Sequence, residues 1–176
     1  MKSLLTAFTL FLSIQSFAGE GEHLALYGRS YTNSCGYFSN VMGDYRVQFQ
    51  SVKLQWGSKV TLIYGWKGYN VLGSNNNQNF NWAFRNEVEM KATSGYTWEV
   101  PLNNVNLHSR SSNQFLTGLQ FVLKVEMPGS SVRYIKGNSE GMSYFQAPAQ
   151  LFANPCVDAE HALPEFTQVP FHIAEK

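Results

Sequence analysis

An all-β sandwich is the fold class this sequence predicts, and three observations predict it. From Asp44 onward, apolar and polar residues alternate with period two, the signature of strands with one buried face. Short turn-forming stretches separate the alternating runs: Gly57-Ser58, Ser94-Gly95 and Pro128-Gly129-Ser130. After the first eighteen residues, no stretch of useful length repeats its apolar residues at the helical spacing of 3.6.

Each run justifies one element. Tyr45, Val47 and Phe49 alternate with Arg46, Gln48 and Gln50; the phase then slips and resumes at Val52 and Leu54, which predicts a bulge or bend near Ser51. Val60, Leu62, Tyr64 and Trp66 form the inner row of the next run. Phe84, Val88, Met90 and Ala92 stand opposite Arg85, Glu87, Glu89 and Lys91. Tyr96, Trp98, Val100 and Leu102 follow, then Leu119, Phe121, Leu123 and Val125, then Val132 and Tyr134. Six or seven strands in about 100 residues is the pattern of an immunoglobulin-like sandwich or a small barrel. The reading divides the chain into an N-terminal segment (19–43), a β-sandwich domain (44–146) and a tail (147–176). The tail holds Pro148, Pro155, Pro164 and Pro170 and is expected to be an irregular C-terminal strap. Two connections, Gly73 to Asn81 and Asn103 to Asn113, read as long polar loops, where binding usually sits on a rigid sheet.

The opening residues carry a different signal. Lys2, an uncharged run from Leu4 to Ile14, and Ser16-Phe17-Ala18 form a signal peptide of residues 1–18 with cleavage after Ala18. The run is shorter than the roughly 20 apolar residues a membrane-spanning helix needs, so no membrane insertion is expected after cleavage. The expected location is secreted or periplasmic. In that compartment the two cysteines, Cys35 and Cys156, are expected to pair and tie the tail back to the N-terminal segment. The four histidines show no ligand spacing with them, so neither a metal nor a cofactor is expected.

Composition narrows the function. Aromatic residues make up 15% of the chain and charged residues 14%, against about 25% charged in an average soluble protein. Lys2 belongs to the leader, so the remaining Lys and Arg are matched by the 12 Asp and Glu, which gives no electrostatic case for nucleic acid. Neither a nucleophile elbow, a zinc-protease motif, a phosphate loop nor a Cys-x-x-Cys pair occurs, so catalysis is not expected. Glu87 and Glu89 lie on one strand face about 7 Å apart, which reads as a solvated face rather than an acid pair.

The informative stretch runs Trp66-Lys67-Gly68-Tyr69-Asn70, Asn79-Phe80-Asn81-Trp82, Met90 and Gly95-Tyr96-Thr97-Trp98-Glu99-Val100-Pro101-Leu102. Leu119 to Val125 and Val132 to Gly137 complete it. This order, over about residues 52–137, resembles the starch- and glycogen-binding carbohydrate-binding modules attached to amylases and branching enzymes. The resemblance implies an immunoglobulin-like sandwich that holds neutral α-glucan on exposed rings flanked by Asn and Lys. It assigns Trp82 as the loop tryptophan with Asn81 beside it, Lys124 as the strand lysine and Trp98 as the strand tryptophan. Pyranose rings present apolar C–H faces that suit aromatic rings, and amides satisfy their hydroxyls. The expected ligand contacts are therefore Trp66, Tyr69, Asn70, Phe80, Asn81, Trp82 and Lys124. By its phase Trp98 belongs to the core and Trp66 to the core or its rim, whereas Trp82 is either a ligand platform or a plug at the sandwich end. A polysaccharide is the expected partner; the alternative is an envelope or cell-surface module that holds a protein.

Overall fold

Alternation over long runs favours strands long enough to cross a core. In the computed structural model, which describes residues 21–32, 35, 40–70, 85–109, 114–129, 132–137, 144–156 and 165–173, ten strands form. They are β1 (Glu22–Tyr31), β2 (Val41–Ser51), β3 (Lys59–Asn70), β4 (Asn86–Glu89) and β5 (Lys91–Ser94), then β6 (Thr97–Ser109), β7 (Gln114–Glu126), β8 (Val132–Ile135), β9 (Phe145–Gln146) and β10 (Thr167–Phe171). Every pairing is antiparallel, along the path β10-β1-β2-β6-β7-β3-β4, with β5 added to β6 and both β8 and β9 added to β7.

The sheet has a seam. Among the described residues β6 and β7 pair only through His108↔Phe115 and Ser109↔Gln114, so the strands β10-β1-β2-β6-β5 form one half and β4-β3-β7 with β8 and β9 form the other. The halves face each other: Tyr45 of β2 lies 5.9 Å, centroid to centroid, from Trp66 of β3, although β6 and β7 stand between these strands along the sheet path. Between them lies a single core of Leu24, Leu26, Val47, Phe49, Trp98 and Val100 from the first half and Val60, Leu62, Leu119, Phe121, Leu123 and Val125 from the second. Each large apolar side chain withdrawn from water in this way contributes about 1.5–3 kcal/mol.

Tyr45 locks the far end of the core. Its ring is fully buried, stacks on Phe152 at 5.2 Å, and its hydroxyl donates to the Leu151 carbonyl at 2.8 Å. Burial raises its pKa far above the ordinary tyrosine value. Gly28 and Gly43 flank the ring, and a Cβ on either would stand 2.5 Å from it, so glycine is required by close approach. Leu151 and Phe152 come from a 3₁₀ turn, Ala149–Phe152, and the segment that follows is anchored by the disulfide Cys35–Cys156, with Cα atoms 5.3 Å apart. The other end is closed by tight turns, and there Arg133 of β8 grips the Glu22 carboxylate of β1, to which Ser51 Oγ also donates.

Several expectations are corrected. The segment 19–43 contains the ten-residue strand β1, paired with β2 from Glu22↔Ser51 to Tyr31↔Met42. Its inward row runs from Leu24 and Leu26 to Gly28 and Ser30; Gly28 makes room for Tyr45, and two small residues in place of apolar ones erase the alternation. The C-terminal strap is not irregular throughout, because β10 pairs with β1 from Leu24↔Phe171 to Gly28↔Thr167, and Pro170 is tolerated because the strand lies at an edge. The stretch from Asn103 is strand, not loop, as far as Ser109. A register shift opposite Gly43/Tyr45 accompanies Asn104, whose φ of 55° lies in the left-handed region that asparagine tolerates, after which Leu107 returns to the core. The phase slip at Ser51 is the end of β2 and a turn, with Val52 exposed. The run around Met90 divides: β4 pairs with β3, β5 pairs with β6, and Met90 is buried where the chain passes from one half to the other.

Candidate functional site

The register of β10, β1, β2 and β6 assembles a surface that no single stretch of sequence contains. On the outer face of β1, alternation places Tyr27, Arg29 and Tyr31 in one row; Tyr27 stands opposite Arg46 of β2, and Arg29 opposite Asp44. Phe166, just before β10, comes alongside. Arg46 lies 4.6 Å from the centre of the Tyr27 ring and 5.9 Å from that of Phe166, while Arg29 lies 5.1 Å from Tyr31 and 6.0 Å from Phe166. Rings and guanidinium groups thus alternate across the face, each contact worth about 0.5–1 kcal/mol where exposed.

Hydrogen bonds fix the same side chains. The Tyr27 hydroxyl donates to Gln48 Oε1 at 3.1 Å, and Gln48 Nε2 donates to Glu99 on β6. Arg29 pairs with Asp44 at 3.2 Å, and Asp44 Oδ1 accepts the Asn104 backbone N–H at 2.9 Å, so the Asn104 kink and the ring row share one carboxylate. The Tyr31 hydroxyl lies 3.2 Å from Asn104 Oδ1 and 3.4 Å from Asp44 Oδ1. Partial burial, and after it the Asp44 carboxylate, raise the Tyr31 pKa and keep this hydroxyl a donor. Two arginines balance two acids, and the face carries no excess charge.

Of the contacts expected from sequence, Trp66 and Lys124 have described side chains, and these two are not brought together. Trp66 points inward and packs at the core margin, 5.9 Å from both Tyr45 and Tyr64 and 6.4 Å from Phe152. Trp98 is buried in the core. Lys124 points out from the other half, where it binds Glu126 at 3.0 Å; that hydrogen bond, more than any other influence, raises its pKa. Trp66 and Lys124 therefore lie on opposite faces of their half-sheet. Tyr69 and Asn70 end β3, with their side chains outside the described residues, as are Phe80, Asn81 and Trp82 altogether. Sequence reasoning missed Tyr27, Arg29, Tyr31, Arg46 and Phe166 as a group. The available signal was the alternation Tyr-x-Arg-x-Tyr in β1, which is legible only once β1 is read as a strand.

Trp56 is 96% exposed, held on a turn in which Ser58 N–H donates to the Gln55 carbonyl at 3.1 Å and Gly57 takes a φ of 84°. Among the described residues, no group of three or more His, Cys, Asp or Glu side chains could hold a metal ion. No helix among them is long and apolar enough to cross a membrane. No family model matches the chain, and neither a curated protein nor a solved structure does.

Proposed function

We propose that this chain is an exported, non-catalytic carbohydrate-binding module that takes neutral polysaccharide, α-glucan by the resemblance of its sequence, on the outer face of β10-β1-β2-β6. One observation carries the reading: Tyr27, Tyr31 and Phe166 lie on that face among Gln48, Asn104 and charge-balanced arginines. Rings meet the C–H faces of sugars, while amides, hydroxyls and guanidinium groups meet their hydroxyls, and a balanced face does not select for ligand charge. The finer fold belongs to the same proposal. The strand order β1-β2-β6-β5 against β4-β3-β7-β8 follows the A-B-E-D and C′-C-F-G order of immunoglobulin-like sandwiches. The disulfide favours an oxidising compartment and so supports export.

Affinity electrophoresis in gels containing glycogen, amylose or another neutral polysaccharide tests the reading. The protein should be retarded in at least one of them, and Tyr27→Ala or Arg46→Ala should restore free mobility. Equal mobility of the unaltered protein in every gel would count against it.

A protein-holding module is the second reading, favoured by the apolar residues at the turn end, where Val52, Trp56, Tyr96 and Val132 are all exposed. The Ser51 N–H bond to the Tyr96 carbonyl brings the turn after β2 beside the turn before β6. A photo-cross-linking residue at position 56 should then trap a discrete protein adduct, and glycan retention should be unaffected by Trp56→Ala.

A further inference from the structure

On the outer face of the other half, β3 and β7 place Ile63 directly opposite Val122, and both are almost fully covered, at 5% and 4% exposure, although they point away from the core. What covers them is a rim of long side chains from β4, β7 and β8 and their flanks. Glu87 stands opposite Ile63 on β4, and Arg85 just ahead of β4 pairs with it at 2.7 Å. On the far side Tyr134 of β8 stands opposite Lys124 of β7, and Lys136 follows β8 with its ammonium 5.9 Å from the centre of the Tyr134 ring. Together they line a shallow, open depression of about 460 Å³.

The charges around this depression do not cancel. Arg85 is matched by Glu87 and Lys124 by Glu126, but no ion pair forms to Lys136 among the described residues. A chain with so few charges thus places three cations around one apolar floor, and among the described residues one of them, Lys136, has no carboxylate partner. Tyr134 is half exposed and presents ring and hydroxyl beside that ammonium. A ligand that fits has a compact body with an apolar face for the half-exposed Tyr134 ring, hydroxyls for the Tyr134 hydroxyl, and a negative group for Lys136.

We propose that this depression is a second binding site, for a saccharide unit that carries one anionic substituent, carboxylate or sulfate. It shares no residue with the ring face of β10-β1-β2-β6, so either site stands if the other fails. The floor is two side chains wide and flanked by β4 and β8, which suits a ring better than an extended peptide.

Isothermal titration of the full mature chain with galacturonic acid oligosaccharides, sulfated gluco-oligosaccharides and neutral gluco-oligosaccharides of equal length tests the proposal. One acidic series should bind at least tenfold more tightly than the neutral one, and which series does so identifies the substituent. Lys136→Gln and Tyr134→Ala, both at exposed positions, should each remove most of that preference while thermal unfolding stays unchanged, and Tyr27→Ala should leave it intact. Equal binding of all three series, absence of binding, or an undiminished preference in Lys136→Gln would overturn the assignment.

Discussion

On the outer face of β10-β1-β2-β6 the polar and aromatic side chains partner one another: Tyr27 with Gln48 and Arg46, Arg29 with Asp44 and two rings, Tyr31 with Asn104. On the outer face of β4-β3-β7-β8 the long side chains stand around two apolar residues, Ile63 and Val122, which they shield from water. Both faces are made from the same charge-poor composition. The difference teaches that the first face is a network of small polar contacts with an open surface, whereas the second contains a small satellite of buried apolar area. Loss of Ile63 or Val122 should therefore cost stability, whereas loss of a ring-face side chain should cost retention by neutral polysaccharide with little change in stability.

The largest expected effect falls on neither face. Replacing Cys35 and Cys156 by serine opens a loop with a sequence separation of 121 residues and should lower the unfolding free energy by about 4–5 kcal/mol, read by urea denaturation at constant slope. If it costs the protein almost nothing, the end plugged by Leu151 and Phe152 is held by packing alone. Next comes Ile63→Ala, which should cost about 2–5 kcal/mol, as for other buried isoleucines. A loss below about 1 kcal/mol would break the comparison, because the floor would then be surface like any other.

Arg46→Ala is expected to cost only about 1 kcal/mol in denaturation, two exposed ring contacts at most, while abolishing retention by polysaccharide. Lys124→Gln should be smallest, with no measurable shift of the denaturation midpoint, since its pairing with Glu126 is a solvent-exposed one. The seam between the halves supplies a pH test. His108 is partly buried beside Phe115, and desolvation lowers its pKa below the ordinary 6.5, partly opposed by its backbone hydrogen bond to Phe152. The unfolded chain then binds the proton more readily, so this contribution is fully present above pH 6.5 and is lost as pH falls through the lowered folded value. His108→Gln should flatten the fall in stability between about pH 7 and pH 5 relative to the unaltered protein, measured by denaturation at each pH.

Much of the framework was legible because the buried rows of β2, β3, β6 and β7 are apolar at every second residue, and Trp98 could be assigned to the core from its phase alone. The turns at Gly57, Gly95 and Gly129 were legible from glycine, and two of them do adopt positive φ. β1 was hidden because Gly28, which yields space to Tyr45, and Ser30 break its inward apolar row, and β10 because Pro170 suggests irregular chain. The ring face was not legible for a different reason. Tyr27, Arg46 and Phe166 meet only through strand register across most of the chain, and no local pattern records that Phe166 will lie beside Arg29. Lys124 was singled out by resemblance, but its neighbours Tyr134 and Ile63 come from β8 and β3, so the depression around it needed the fold.

β10 has a protective consequence. Its five residues cover the flank of β1 from Leu24 to Gly28, and its proline leaves the new outer margin short of one N–H donor. Proteolytic loss of that small piece would bare a row of unpaired amide and carbonyl groups, and copies of the chain would then have a template for end-to-end polymerisation. β10 is in this sense a guard on an otherwise open margin.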